Sequence, residues 1–234
     1  MDEPSHFDAE PRTETTGFPT RVFLRPIGNP MPLGFLGLAV ATMTLSGMNL
    51  GWIPTGEQHQ VALVLLAFAF PLQSISTVFG FLSRDPVVAS GIGVQAGTWL
   101  VVGLILLTAV PGSTSKTLGF FLFVAAAAVT SSVVVAGTTK VLPALVMAGT
   151  VARFALTGMY QFTKAPIWNH VSGWEGLFLC CIAVYAAIAI DLESVRHRTV
   201  LPVMRFGGGR KALTGSAADQ VAGVEHEAGV RRQL

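Results

Sequence analysis

Thr150, Arg153, Thr157 and Gln161 stand at i, i+3, i+7 and i+11 in an otherwise apolar segment, so a helix carries them as one polar stripe. A cation near the centre of a membrane span costs on the order of 3 kcal/mol, so Arg153 must face a cavity, a counter-charge or exposed carbonyls. A dissolved anion is one candidate partner, and a structural role is the other. A second place suited to an anion is Asn29-Pro30-Met31-Pro32-Leu33-Gly34. Its two prolines stop a helix from running backward through the stretch, while Pro32 fits a first helical turn. The N–H groups of Leu33, Gly34 and Phe35 are then donors at the positive end of a helix dipole. They serve an anion, or the stretch is simply an N-terminal cap.

Other polar groups sit at similar depth. Thr42, Ser46 and Asn49 continue a face that starts at Leu38, Gln73 and Thr77 share a face with Gly80, and Gln95 precedes Thr98. A further helix offers Thr130, Ser131 and Ser132. Together they could line a narrow wet path for a small solute. The alternative is that each hydroxyl or amide bonds the preceding turn or a neighbouring helix. His170, between Trp168 and Trp174, could titrate near neutral pH or act as an interfacial residue. No spaced metal ligands, nucleophile with a base, or phosphate-cradling loop is found. The expectation is a protein that is not an enzyme, with no cofactor, metal or nucleic-acid partner.

The elements that must position these groups follow from hydropathy. Of 234 residues 51% are hydrophobic and 12% charged, about half the charge of an ordinary soluble domain. Six segments approach the roughly 20 apolar residues that a span needs: 32–51, 60–82, 87–110, 118–138, 142–163 and 174–191, the last being the shortest. Connectors such as Pro54-Thr55-Gly56, Ser83-Arg84-Asp85-Pro86 and Ala165-Pro166 are short and rich in turn residues. Glu175, Asp191 and Glu193 are expected near helix ends, leaving no acid at the depth of Arg153.

Small residues at contact spacing, such as Gly93 with Gly97 and the run Ala125 to Ala128, suit a compact bundle or a tight oligomer. Adjacent Cys180 and Cys181 fit neither a disulfide framework nor a zinc site and are read as packing residues. Arg12, Arg21, Arg25, Arg84, Lys140, Arg196, Arg198, Arg205, Arg210, Lys211, Arg231 and Arg232 fall on the side of both termini, against Lys116 and Lys164 on the other. That asymmetry makes both termini cytoplasmic. Residues 1–28 read as a polar cytoplasmic tail, 29–202 as the transmembrane domain and 203–234 as a flexible basic tail that could touch anionic lipid.

The opening motif with Gly37, Gln73, Trp99, Gly137-Thr138-Thr139-Lys140, His170-Val171-Ser172-Gly173-Trp174-Glu175-Gly176-Leu177 and Arg198-Thr199-Val200-Leu201-Pro202 resembles the acetate uptake transporter family, also called the succinate–acetate permease or YaaH-like family. The resemblance runs over residues 29–202 in the same element order. It implies a homo-hexamer in the plasma membrane, each six-helix protomer with its own pore for acetate, succinate or related small carboxylates, with or without protons. The family's hydrophobic constriction uses a Phe, a Tyr and a Leu. Their places here fall to Leu38, Gln95 and the neighbourhood of Thr150, and Ala69-Phe70-Pro71 replaces a usual glycine pair before Gln73.

The expected fold class is thus an all-α integral membrane protein of six transmembrane helices in a compact bundle, with a pore in each protomer. The expected function is a channel or transporter for small carboxylate anions or acids. Its solute path involves Asn29, Pro30, Pro32, Leu33, Gly34, Leu38, Thr42, Gln73, Gln95, Thr150 and Arg153. The alternative is a non-transporting membrane scaffold or sensor that presents its tails.

Overall fold

The computed structural model describes residues 27–85, 87–196 and 198–207. They form six membrane-length helices: α1 Met31–Asn49, α2 Thr55–Leu82, α3 Val87–Thr108, α4 Lys116–Gly137, α5 Val141–Thr163 and α6 Pro166–Arg196. Each packs against the next in sequence, and α6 returns to lie along α1. The bundle is therefore a closed ring of helices. Its outer surface exposes Leu63, Phe68, Phe81, Phe120, Val124 and Phe178, while Thr42, Gln73, Gln95, Thr150 and Arg153 are buried. Apolar side chains out and polar ones in is the arrangement that hydrocarbon surroundings require.

Local chemistry sets the helix ends. Asn29 Oδ1 accepts the Met31 N–H at 3.0 Å, capping α1 where Pro30 and Pro32 stop it running backward. At the other end Gly51 takes φ 76°, and the N–H groups of Trp52 and Ile53 turn back to the Gly47 carbonyl at 2.8 and 3.0 Å. Such a left-handed position after a helix suits glycine. In α2 the chain passes through Pro71 without breaking. Leu65–Ala69 widen into a π-helical turn, which absorbs the N–H that Pro71 lacks. Asp85 Oδ1 caps α3 by accepting from Val87 N–H at 3.0 Å and Val88 N–H at 3.2 Å.

The sixth helix departs furthest from expectation. It spans 31 residues, not 174–191, because Pro166 opens it in the first turn and Asn169, His170 and Ser172 lie inside it rather than in a connector. Pro is compatible with a helix start, and Asn169 and Ser172 find partners on α1 and α5, so their polarity does not end the helix. Glu175 is consequently well inside α6, not near its end.

Residues 1–26 and 208–234, most of the two expected tails, lie outside the described residues. Residues 203–206 pack onto the bundle. Val203 is buried, and the carbonyls of Val203 and Met204 accept the N–H groups of Leu142 and Val141 at 3.3 and 3.0 Å. Those are first-turn donors of α5 that no intrahelical carbonyl reaches. Arg205 pairs with Glu193, which is 3% exposed, and Nε donates to its Oε1 at 3.0 Å.

Candidate functional site

Two polar constellations lie inside the ring. The first is at the level of the α1 start. Gln73 Nε2 donates to the Gly34 carbonyl and to Gln95 Oε1, each at 3.0 Å, and Gln95 Nε2 reaches Met147 Sδ at 3.2 Å. Ser76 Oγ donates to the Pro30 carbonyl at 2.7 Å, which also accepts from Gly34 N–H at 3.3 Å. Side chains thus tie α1, α2, α3 and α5 together across the interior. Leu38, Phe35 and Met147 are fully buried in the same core cluster.

The second constellation surrounds Arg153, which is 2% exposed. Its Nη1 donates to the Ser172 carbonyl in a close contact and to Ser172 Oγ at 3.2 Å. Thr157 Oγ1 lies 3.3 Å from the same hydroxyl. The hydrogen-bond pattern assigns the Asn49 amide oxygen toward this cluster, where it accepts from Arg153 Nη2 at 3.3 Å and Ser172 Oγ at 3.0 Å, while its nitrogen donates to Asn169 Oδ1 and the Leu45 carbonyl. Arg153 also interacts electrostatically with Glu175. The carboxylate follows from the helix register, because Ser172, Glu175 and Gly176 at i, i+3 and i+4 share a face of α6. That spacing was readable in the sequence once α6 begins at Pro166. The expectation of no acid at the depth of Arg153 is therefore corrected.

Beside this cluster is a cavity of about 50 Å³, lined by Leu45, Asn49, Trp99, Arg153, Phe154 and Thr157 among others. Trp99 and Phe154 meet edge to face, centroids 5.7 Å apart. Trp99 Nε1 is a buried donor with no protein partner among the described residues. Trp99 and Arg153 both line the cavity, and an indole N–H and a guanidinium are donors suited to an anion.

The remaining expected path residues divide by location. Asn29 is exposed, Leu33 half-buried, and Pro30, Pro32, Gly34, Leu38, Thr42, Gln73, Gln95 and Thr150 are buried. Pro30, Gly34, Gln73 and Gln95 come together in the first constellation. Arg153 stands in the second. The hydroxyls of Thr42, Thr77, Thr98, Thr130 and Thr150 donate to carbonyls four residues back, at 2.8 to 3.1 Å. The expected stripe on α5 also divides, since Thr157 meets Ser172 while Gln161 Oε1 accepts from Ser115 N–H at 2.8 Å, where α4 begins.

Ring closure and a polar interior define the described residues as a multi-pass helical membrane protein of six spans. Its fold is shared with a solved structure described as the bacterial acetate channel SatP, at a TM-score of 0.68 and 21% identity, over 75% of this chain and 98% of that one. No protein-family model and no curated protein sequence matches the chain. The structural likeness bears out the fold that the acetate uptake transporter resemblance implies.

Proposed function

We propose that the protein is a transmembrane channel or transporter for small carboxylates of acetate size. The observation that carries the reading is the cavity that Arg153 and Trp99 line together inside a six-span ring, with the buried Trp99 N–H unpartnered among the described residues. About 50 Å³ is room for a few waters or a solute of about four non-hydrogen atoms. A carboxylate there replaces its hydration with the guanidinium fork and the indole N–H. The likeness to an acetate channel supports the same solute class.

On this reading the solute enters at the cavity, passes Trp99, and then meets the Gln73–Gln95 amides, Thr150, Thr42 and Leu38, which must part to admit it. It leaves past Pro30, Pro32, Leu33, Gly34 and Asn29. Succinate as a second solute, a plasma-membrane location with both termini cytoplasmic, and a homo-hexamer belong to the same proposal, on the motif resemblance and the basic-residue asymmetry. Uptake of labelled acetate into liposomes carrying the purified protein tests it, with chloride as control. Saturable acetate entry above the rate of empty vesicles is expected. Entry at the empty-vesicle rate overturns the reading and leaves a scaffold or sensor.

A further inference from the structure

Arg153 has an internal competitor for any anion it binds. Within their helices Arg153 and Glu175 are the charged groups at this depth: α1 and α3 carry no ionisable side chain, and α5 offers besides Arg153 only Tyr160. Glu175 lies against α5 one turn from Arg153, since a Cβ on Gly149 would stand 3.6 Å from Glu175 Oε1. Its neighbour Gly176 carries the guanidinium itself, with a built Cβ 2.6 Å from Arg153 Nη1. Glu175 Oε2 is buried and takes no hydrogen bond among the described residues. The carboxylate therefore acts on Arg153 through space rather than through a fixed contact.

Resting on the carboxylate reading above, we infer that Glu175 is a specificity-determining residue that sets the solute charge accepted beside Arg153. With both side chains ionised the pair sums to zero, so a monoanion then brings the buried site to one negative charge and a dianion to two. Charge that is not compensated in a medium of low dielectric is costly. The native pair therefore favours monocarboxylates over dicarboxylates. Removing the Glu175 charge shifts the site by one positive unit, which helps a dianion more than a monoanion. Removing the Arg153 charge shifts it the other way. Each unit of solute charge changes affinity on the order of tenfold at separations of several ångströms in a partly screened interior.

The test measures half-saturation for labelled acetate and labelled succinate at pH 7.5, in liposomes clamped at zero membrane potential. Glu175→Gln is expected to lower the succinate value on the order of tenfold more than the acetate value. Arg153→Gln is expected to raise both values and to raise succinate more. The two variants shift preference in opposite directions: Glu175→Gln tests the inference directly, and the double variant compared with Arg153→Gln removes the same charge a second time and should return to the native preference. A succinate-to-acetate ratio unchanged within about twofold in the single variants, with transport intact, overturns the inference and leaves the carboxylate reading standing. Native protein that moves acetate no faster than empty vesicles overturns both.

Discussion

The Arg153 guanidinium occupies space that exists only because residue 176 is glycine: a Cβ there would stand 2.6 Å from Nη1 and 2.9 Å from Cζ. Ser46 Oγ crowds the same point still more closely, so a Cβ there displaces that hydroxyl and the guanidinium together. Gly176→Ala should therefore push Arg153 off the Ser172 carbonyl, at a cost of about 1–3 kcal/mol for the overpacking alone. Thermal unfolding of the purified protein reads the loss, with Gly97→Ala as the control because a Cβ at Gly97 meets nothing within 4 Å. Equal melting temperatures for the two variants would show that the guanidinium is not held where it stands.

The amide tie between Gln73 and Gln95 is the expected barrier along the solute path. Gln95→Ala removes the acceptor of Gln73 Nε2 and the donor to Met147 Sδ, leaving buried polar atoms that cost about 1–3 kcal/mol. It also empties volume at the level of Leu38. Maximal acetate flux should rise while half-saturation stays near the native value, since the Arg153 cavity is untouched. A fall in flux by folded protein would place the barrier elsewhere.

The segment after α6 closes the end of the bundle where α5 begins. Arg205→Ala leaves Glu193 buried without its ionic partner, and losing one member of a buried pair typically costs on the order of 3 kcal/mol. Adding Glu193→Gln should recover part of that, because the unpaired charge disappears. Melting temperatures of the single and double variants decide it. A double variant less stable than Arg205→Ala would contradict the charge account.

Most of this fold was legible in the sequence, because five spans are predominantly apolar runs of membrane length with Pro, Gly and Asp at their ends. The sixth was not, since Asn169, His170, Ser172 and Glu175 interrupt its hydropathy, and the partners that let Asn169 and Ser172 sit in a helix come from α1 and α5. The same misplaced helix start hid Glu175 from Arg153. The burial of Arg153 was legible from the cost of a cation in lipid. Its seat on Gly176 was not, because a close approach between two helices leaves no periodic trace. Threonines at path spacing look alike whether they face a solute or their own helix, and here Thr42, Thr98 and Thr150 bond back to it. Val203 to Phe206 read as the start of a tail because Gly207-Gly208-Gly209 follows them, yet the carbonyls of Val203 and Met204 cap α5.

The entry motif carries a further expectation. The Pro30 carbonyl takes the Ser76 hydroxyl at 2.7 Å, so the motif is fastened to α2 as well as capped by Asn29. Ser76→Ala should cost about 1 kcal/mol, and Asn29→Ala a similar amount through the lost cap. Additive losses in melting temperature are expected, as the two contacts share no atom. Strong non-additivity would mean that the motif moves as one piece with α2.

The central claim is that a carboxylate binds beside Arg153. The most direct measurement is the acetate half-saturation of Arg153→Gln and Arg153→Lys against the native protein, in liposomes of matched protein content. The account predicts a value on the order of tenfold higher for Arg153→Gln, with Arg153→Lys between the two because its charge survives without the planar fork. Native half-saturation in Arg153→Gln, with flux retained, would contradict it.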